Sequence, residues 1–188
     1  MLRIVFAAAA LALLSATTAN AAVYFDLHRM TMTGSVLYET WQDTSTGKVY
    51  AQQSWRAGSG SSTDACQVGY GWIPTGTYDL WGHWDHYDAT IKGRVWYLSN
   101  HQCWNGTWRS ELFIHSEETA DNGQLCGSPY YDERYCWDGD GDYYSHGCIK
   151  VSRAAPYPSD LAQVDNDWDG WDGRHGSFVS YSRAYVYS

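Results

Sequence analysis

Closely paired cysteines, basic clusters, long apolar runs and helical periodicity are all missing from residues 22–188 of this chain. Without a Cys-x-x-Cys pair, a zinc ribbon is not indicated. Lys and Arg number 12 against 21 Asp and Glu, giving a formal charge of −9. A chain this acidic, with no basic stripe, has no footprint for nucleic acid and no polybasic patch for anionic lipid. Its acidity reads as solubility. The one long apolar run, Ile4 to Leu14, is much shorter than the roughly 20 residues of a membrane-spanning helix, so no membrane anchor is expected.

That run belongs instead to an expected signal peptide over residues 1–21. Arg3 is its basic start, Ile4 to Leu14 its apolar centre and Ala19-Asn20-Ala21 its small-residue cleavage site. Export to an extracytoplasmic location follows. Residues 22–188 then have one-domain length and enough bulk for one core.

What is abundant is aromatic: 16 Tyr and 11 Trp, residues that favour strands. Short alternating runs recur at Ser35–Tyr38, Lys48–Ala51, Val95–Leu98, Leu112–Ile114 and Ser177–Tyr181, separated by Gly, Ser, Asn and Asp. The expected fold is mainly β. Thr44–Gly47 reads as a hairpin turn, Asn105-Gly106-Thr107 matches a glycosylation acceptor, and residues 158–163 read as a helix with Ser159 as its cap. Residues 117–143 form a polar, Gly-rich insertion.

Five cysteines remain: Cys66, Cys103, Cys126, Cys136 and Cys148. Outside the cytoplasm thiols pair, and an odd one suggests a reactive group. Only Cys148 adjoins a histidine, in Ser145-His146-Gly147-Cys148-Ile149. A thiolate nucleophile needs such a cationic, uncrowded setting. Three histidines are candidate activators. His146 is two residues away, His115 ends the strand-like run Leu112-Phe113-Ile114-His115, and His175 lies downstream. Spacing alone does not choose among them. The two disulfides expected among the others are Cys126–Cys136 and Cys66–Cys103, which join neighbours in sequence.

Ile73-Pro74-Thr75-Gly76-Thr77-Tyr78, then Phe113-Ile114-His115-Ser116, then Ser145-His146-Gly147-Cys148-Ile149 resembles the L,D-transpeptidase (YkuD-type) catalytic domain of bacterial cell-wall enzymes. The likeness spans roughly residues 35–155. Two features depart from it: the gap from His115 to Ser145 is long, and Lys150 stands where many members have Asn or Arg.

The resemblance implies a β-sandwich or barrel with one or two short helices, forming one catalytic domain over residues 22–188. It implies His115 as base, the Ser116 carbonyl as its orienter and Cys148 as nucleophile. Backbone N–H groups of His146, Gly147 and Cys148 would form the oxyanion hole, with no metal and no cofactor. The implied partners are peptidoglycan stem peptides, and the implied state is a cell-wall-associated monomer. Papain-like and NlpC/P60-type peptidases would instead pair Cys148 with His175. A sortase-like site would add Arg153 or Arg174.

Two aspartate clusters, Asp138/Asp140/Asp142 and Asp165/Asp167/Asp169, have the opening spacing of a calcium loop. Counted from Asp165, however, the twelfth position is Gly176 where such a loop needs Glu. They read as solvated acidic loops. The aromatic excess, with rings such as Trp81, Trp84, Trp168 and Trp171, suggests sugar stacking, and a glycan-binding module without catalysis is the alternative reading.

Overall fold

The structure, a computed structural model, describes residues 27–33, 35–42, 46–153, 160–166 and 183–187. The expected signal peptide, the run Ser177–Tyr181, and Ser159, Asp167, Trp168, Asp169, Trp171, Arg174, His175 and Gly176 lie outside them. Strands dominate, as the turn-punctuated aromatic runs predict. They are β1 (Leu27–Thr33), β2 (Val36–Gln42), β3 (Val49–Gly58), β4 (Gly76–Asp88), β5 (Lys92–Leu98), β6 (His101–Gln102), β7 (Trp108–Arg109), β8 (Leu112–His115), β9 (Ile149–Val151) and β10 (Arg183–Tyr187). Eight of these close into a barrel in the order β1-β10-β4-β5-β8-β9-β3-β2. β6 and β7 form a separate hairpin closed by the turn at residues 104–106, with Gly106 at φ +88°. A helix, α1 (160–166), overlaps the expected one. No helix among the described residues is long and apolar enough to cross a membrane.

Alternation along each strand divides the molecule into an inside and an outside. Trp96 and Leu98 of β5, Leu112 and Ile114 of β8, and Ile149 and Val151 of β9 point inward, where they meet Leu37, Trp55 and Tyr78 and, from α1, Leu161 and Val164. Trp96 is wholly buried. A side chain of that class stabilises the fold by about 1.5–3 kcal/mol over leaving it exposed. Residues at the alternate positions, Val95, Phe113 and, just before β9, Cys148, form a second cluster on the outer face.

β8 and β9 are parallel neighbours, with Ile114 opposite Ile149 and His115 opposite Lys150. Parallel strands cannot be joined by a tight turn and need a crossover of a dozen or more residues. The 117–143 insertion lies in that crossover, which accounts for the long gap between the two histidine motifs. Cys126 and Cys136 are disulfide-linked within it, their Cα atoms 4.9 Å apart. The expected Cys66–Cys103 bond is not formed. Both are buried thiols, hydrogen-bonded to each other.

The start of the insertion is pinned by charge. Glu118 is fully buried and pairs with Arg94 at 2.9 Å and Arg153 at 2.8 Å. Arg94 also holds Asp165 of α1 at 2.7 Å. Buried charge persists only when it is paired in this way.

Candidate active site

The outer face of β8 and the approach to β9 carry Phe113, His115, Cys148 and Lys150. Over them lies a cavity of about 580 Å³. The β4–β5 turn (87–92) forms one wall, Arg134 and Tyr135 of the insertion another, and residues 144–146 a third. His115, Ser116 and Cys148 all line it.

His115 is 9% exposed, and its Nδ1 lies 2.8 Å from the Ser116 carbonyl oxygen. A carbonyl only accepts, so Nδ1 carries the proton and Nε2 is the basic nitrogen. Burial, and then the nearby Lys150 ammonium, push the imidazole down to about 3, against the weaker opposing effect of the Ser116 bond. The ring is therefore neutral at physiological pH.

Cys148 is 7% exposed. Its thiol donates to the Glu111 carbonyl at 3.6 Å, and the Phe113 N–H reaches the sulfur. Glu111 adopts a left-handed backbone, φ 54°, which is uncommon for a residue with a side chain. Burial pushes the thiol up to about 11, while Phe113, Lys150 and Arg109 act in the opposite direction. The resting pair is thus a neutral thiol and a neutral imidazole. A carboxylate partner keeps Lys150 in place: Nζ pairs with Glu117, whose own pKa is raised by burial, and lies 5.9 Å from the centre of the Trp137 ring.

The turn that presents Cys148 is built from side chain to backbone. Ser145 Oγ donates to the Cys148 carbonyl at 2.7 Å and accepts from the Gly147 N–H at 3.0 Å. Of the three N–H groups expected to face an oxyanion, Gly147's is therefore engaged within the turn. Gly147 has φ +118°, so the segment bends rather than extends, and His146 does not share a strand face with Cys148. The His146 ring is exposed and lies 6.3 Å from that of Tyr70.

Sequence reasoning missed Arg109, which is 2% exposed and hydrogen-bonded to four main-chain carbonyls. Nη1 donates to Ala65 and Trp72, and Nη2 to Gly71 and His146 at 3.1 Å each. No local signal marks it, since the Trp-Arg-Ser context is ordinary and its carbonyl partners are distant in sequence. Ser116 Oγ is a second missed feature: it is buried at the cavity wall with no hydrogen-bond partner among the described residues. A polar atom left so at a cavity is a natural contact for a bound ligand.

The Pro-Thr-Gly-Thr-Tyr block lies away from the sulfur, at the start of β4. Tyr78 is buried in the barrel, its hydroxyl donating to Pro74 at 2.6 Å. Arg153 is committed to Glu118 and, at 3.0 Å, to the Asn122 carbonyl.

The first aspartate cluster does not converge. Asp140 pairs with Arg56, Asp142 accepts from two backbone N–H groups, and Asp138 accepts from Tyr131. Among the described residues the ligand atoms of His83, Asp85 and Asp165 do come within 4.8 Å of one another. Arg94 already supplies positive charge to Asp165 there.

No family model matches this chain, and no curated protein matches it. The chemistry of the site rests on its own geometry. A buried thiol and a base of fixed tautomer share one cavity, beside an ion pair and a rigid turn. Such a set suits nucleophilic attack with proton transfer to the base during the step.

Proposed function

We propose that the protein is a cell-wall L,D-transpeptidase-like acyltransferase with Cys148 as nucleophile and His115 as base. The observation that carries this reading is the His115–Ser116 hydrogen bond at 2.8 Å, which leaves Nε2 as the basic nitrogen in the cavity that also contains Cys148. The order of His-Ser and Ser-His-Gly-Cys blocks supports it, as does the expected export.

Cys148 attacks the carbonyl of a stem tetrapeptide while its proton passes to His115 Nε2. The carbon–nitrogen bond then breaks, His115 returns the proton to the departing amine, and D-alanine leaves. A thioester remains on Cys148. An acceptor amine attacks it, His115 takes the amine's proton, and the thiol is regenerated as the new amide forms. The thioester keeps the acyl group reactive, so no external energy source is needed. With Gly147 engaged inside its turn, His146 and Cys148 are the N–H groups assigned to the oxyanion.

Mass spectrometry after incubating the purified protein with disaccharide tetrapeptide tests the proposal. A cross-linked dimer lacking one alanine supports transpeptidation, and a tripeptide alone supports carboxypeptidase action. No product and no adduct on Cys148, from folded protein, would overturn it.

A further inference from the structure

A chain of aromatic rings crosses the outer face of β4, β5 and β8 and ends at the sulfur. Trp81 meets Tyr97 edge-on, with centroids 5.4 Å apart and planes at 83°. Tyr97 stacks on Phe113 at 4.6 Å and 15°. Tyr87 tilts against Phe113 at 5.9 Å, and Trp84 against Tyr87 at 5.5 Å. Phe113 shares an apolar cluster with Cys148, and Tyr87 and Tyr97 pack against that cluster. The rings make one continuous surface from solvent into the cavity.

The outer end of that surface is bare. Trp81 is 53% exposed and Trp84 42%. Leaving this much ring area in water forgoes the burial that normally stabilises an aromatic side chain. Two features of β4 nevertheless hold the rings outward. Its pairing with β5 is interrupted by register shifts between Leu80 and Gly82 and between Trp84 and Tyr87. Bulges of this kind re-aim side chains, and here the first adds Trp81 to the face that Trp84 already occupies. Gly82 is the second feature, because a Cβ there would stand among the ring atoms of Trp84. The indole therefore rests on bare backbone with its far side open.

The geometry points to Trp81 and Trp84 as a stacking platform for pyranose rings of the glycan that carries the stem peptide. This inference rests on the acyl-transfer reading and adds a glycan subsite to it. A pyranose has an apolar C–H face and a rim of hydroxyls. A flat exposed indole matches that apolar C–H face, and the open solvent around it leaves the hydroxyl rim hydrated. Continuity with the cavity sets the division of labour: the sugar lies on the outer rings while its peptide reaches Cys148.

The test titrates the Cys148→Ser protein with peptide-free chitotetraose, a β-1,4-linked N-acetylglucosamine oligomer, by calorimetry. A sugar-free apolar peptide is the control. Trp81→Ala/Trp84→Ala is expected to weaken sugar binding about tenfold or more, and Trp84→Phe by about threefold or less. With Cys148 intact, the double variant raises KM for disaccharide tetrapeptide about tenfold, leaves kcat unchanged, and keeps the parent rate on sugar-free tetrapeptide. Should the double variant fail to fold, saturation-transfer NMR on the Cys148→Ser protein decides, through magnetisation passing from aromatic protons to sugar C–H groups. No sugar binding by that protein, equal affinity in the folded double variant, or preference for the apolar peptide overturns the platform and leaves the acyl-transfer reading intact. Sugar binding that depends on both tryptophans, without any acylation of Cys148, sustains the platform and overturns the acyl-transfer reading instead.

Discussion

The guanidinium of Arg109 occupies the space that a side chain at position 147 would need. Gly147 is thus required twice, for its positive φ and for the arginine beside it. Arg109 in turn ties the turn before Cys148 to residues 65–72 through the carbonyls of Ala65, Gly71, Trp72 and His146. Gly147→Ala is expected to cut the acylation rate of Cys148 by about 10²-fold, the effect of misplacing a reacting atom by roughly an ångström. Arg109→Met removes the donors to those carbonyls and should lower stability by about 3 kcal/mol, read from urea unfolding.

Replacing each histidine in turn separates base from bystander. His115→Ala should slow acylation by about 10²–10⁴-fold, the usual weight of a positioned base. His146→Ala should slow it less, through the geometry of the turn. His175→Ala should leave the rate nearly intact. A folded His175→Ala protein without activity would place the base downstream of the cysteine and reverse the assignment. Single-turnover acylation followed by intact-mass measurement distinguishes these outcomes.

The pH profile follows from the two displaced pKa values. With His115 held near 3, its imidazole is unprotonated and able to accept a proton at any higher pH. With Cys148 raised to about 11, the sulfur keeps its proton until the step itself at any lower pH. The acylation rate should therefore be flat from roughly pH 5 to 9, falling only outside that window. A preformed thiolate–imidazolium pair would instead titrate within the window, and stopped-flow acylation across that range tells the two apart.

Thiol counting tests the cysteine arrangement. Under denaturing, non-reducing conditions, Cys66, Cys103 and Cys148 should take up an alkylating reagent while Cys126 and Cys136 do not. In the native protein all three should react slowly, since none is more than 7% exposed. Peptide mapping after labelling reads both results. A Cys148 found in a disulfide in active protein would rule it out as the nucleophile.

The strands that were legible in the sequence are those with undisturbed alternation. The runs at Ser35–Tyr38 and Lys48–Ala51 overlap β2 and β3, and those at Val95–Leu98 and Leu112–Ile114 fall within β5 and β8. β4 is the longest of the described strands, at 13 residues, yet none of the expected alternating runs falls in it. Its two register shifts break the two-residue period, and Gly82 and its aspartates are residues that normally end strands. At the site, His115, Ser116 and Cys148 were visible because each belongs to a short block, His115-Ser116 in one and Ser145-His146-Gly147-Cys148 in the other. Arg109, the Glu111 carbonyl and the Glu117–Lys150 pair were not, because each acts through partners that only the folded chain brings near. The Cys66–Cys103 expectation named two residues that do touch but that the structure leaves unbonded.

Because β8 and the chain entering β9 place their core residues and their cavity-facing residues at alternate positions, two kinds of mutational constraint share one short segment. Leu112, Ile114 and Ile149 answer to the packing of the barrel. Phe113, His115 and Cys148 answer to whatever occupies the cavity outside it. Substitution of Phe113 can retune selectivity without disturbing the packed interior, and substitutions inside can shift thermal tolerance without changing what is recognised. For directed evolution of this protein, odd and even positions of one strand are separate design variables.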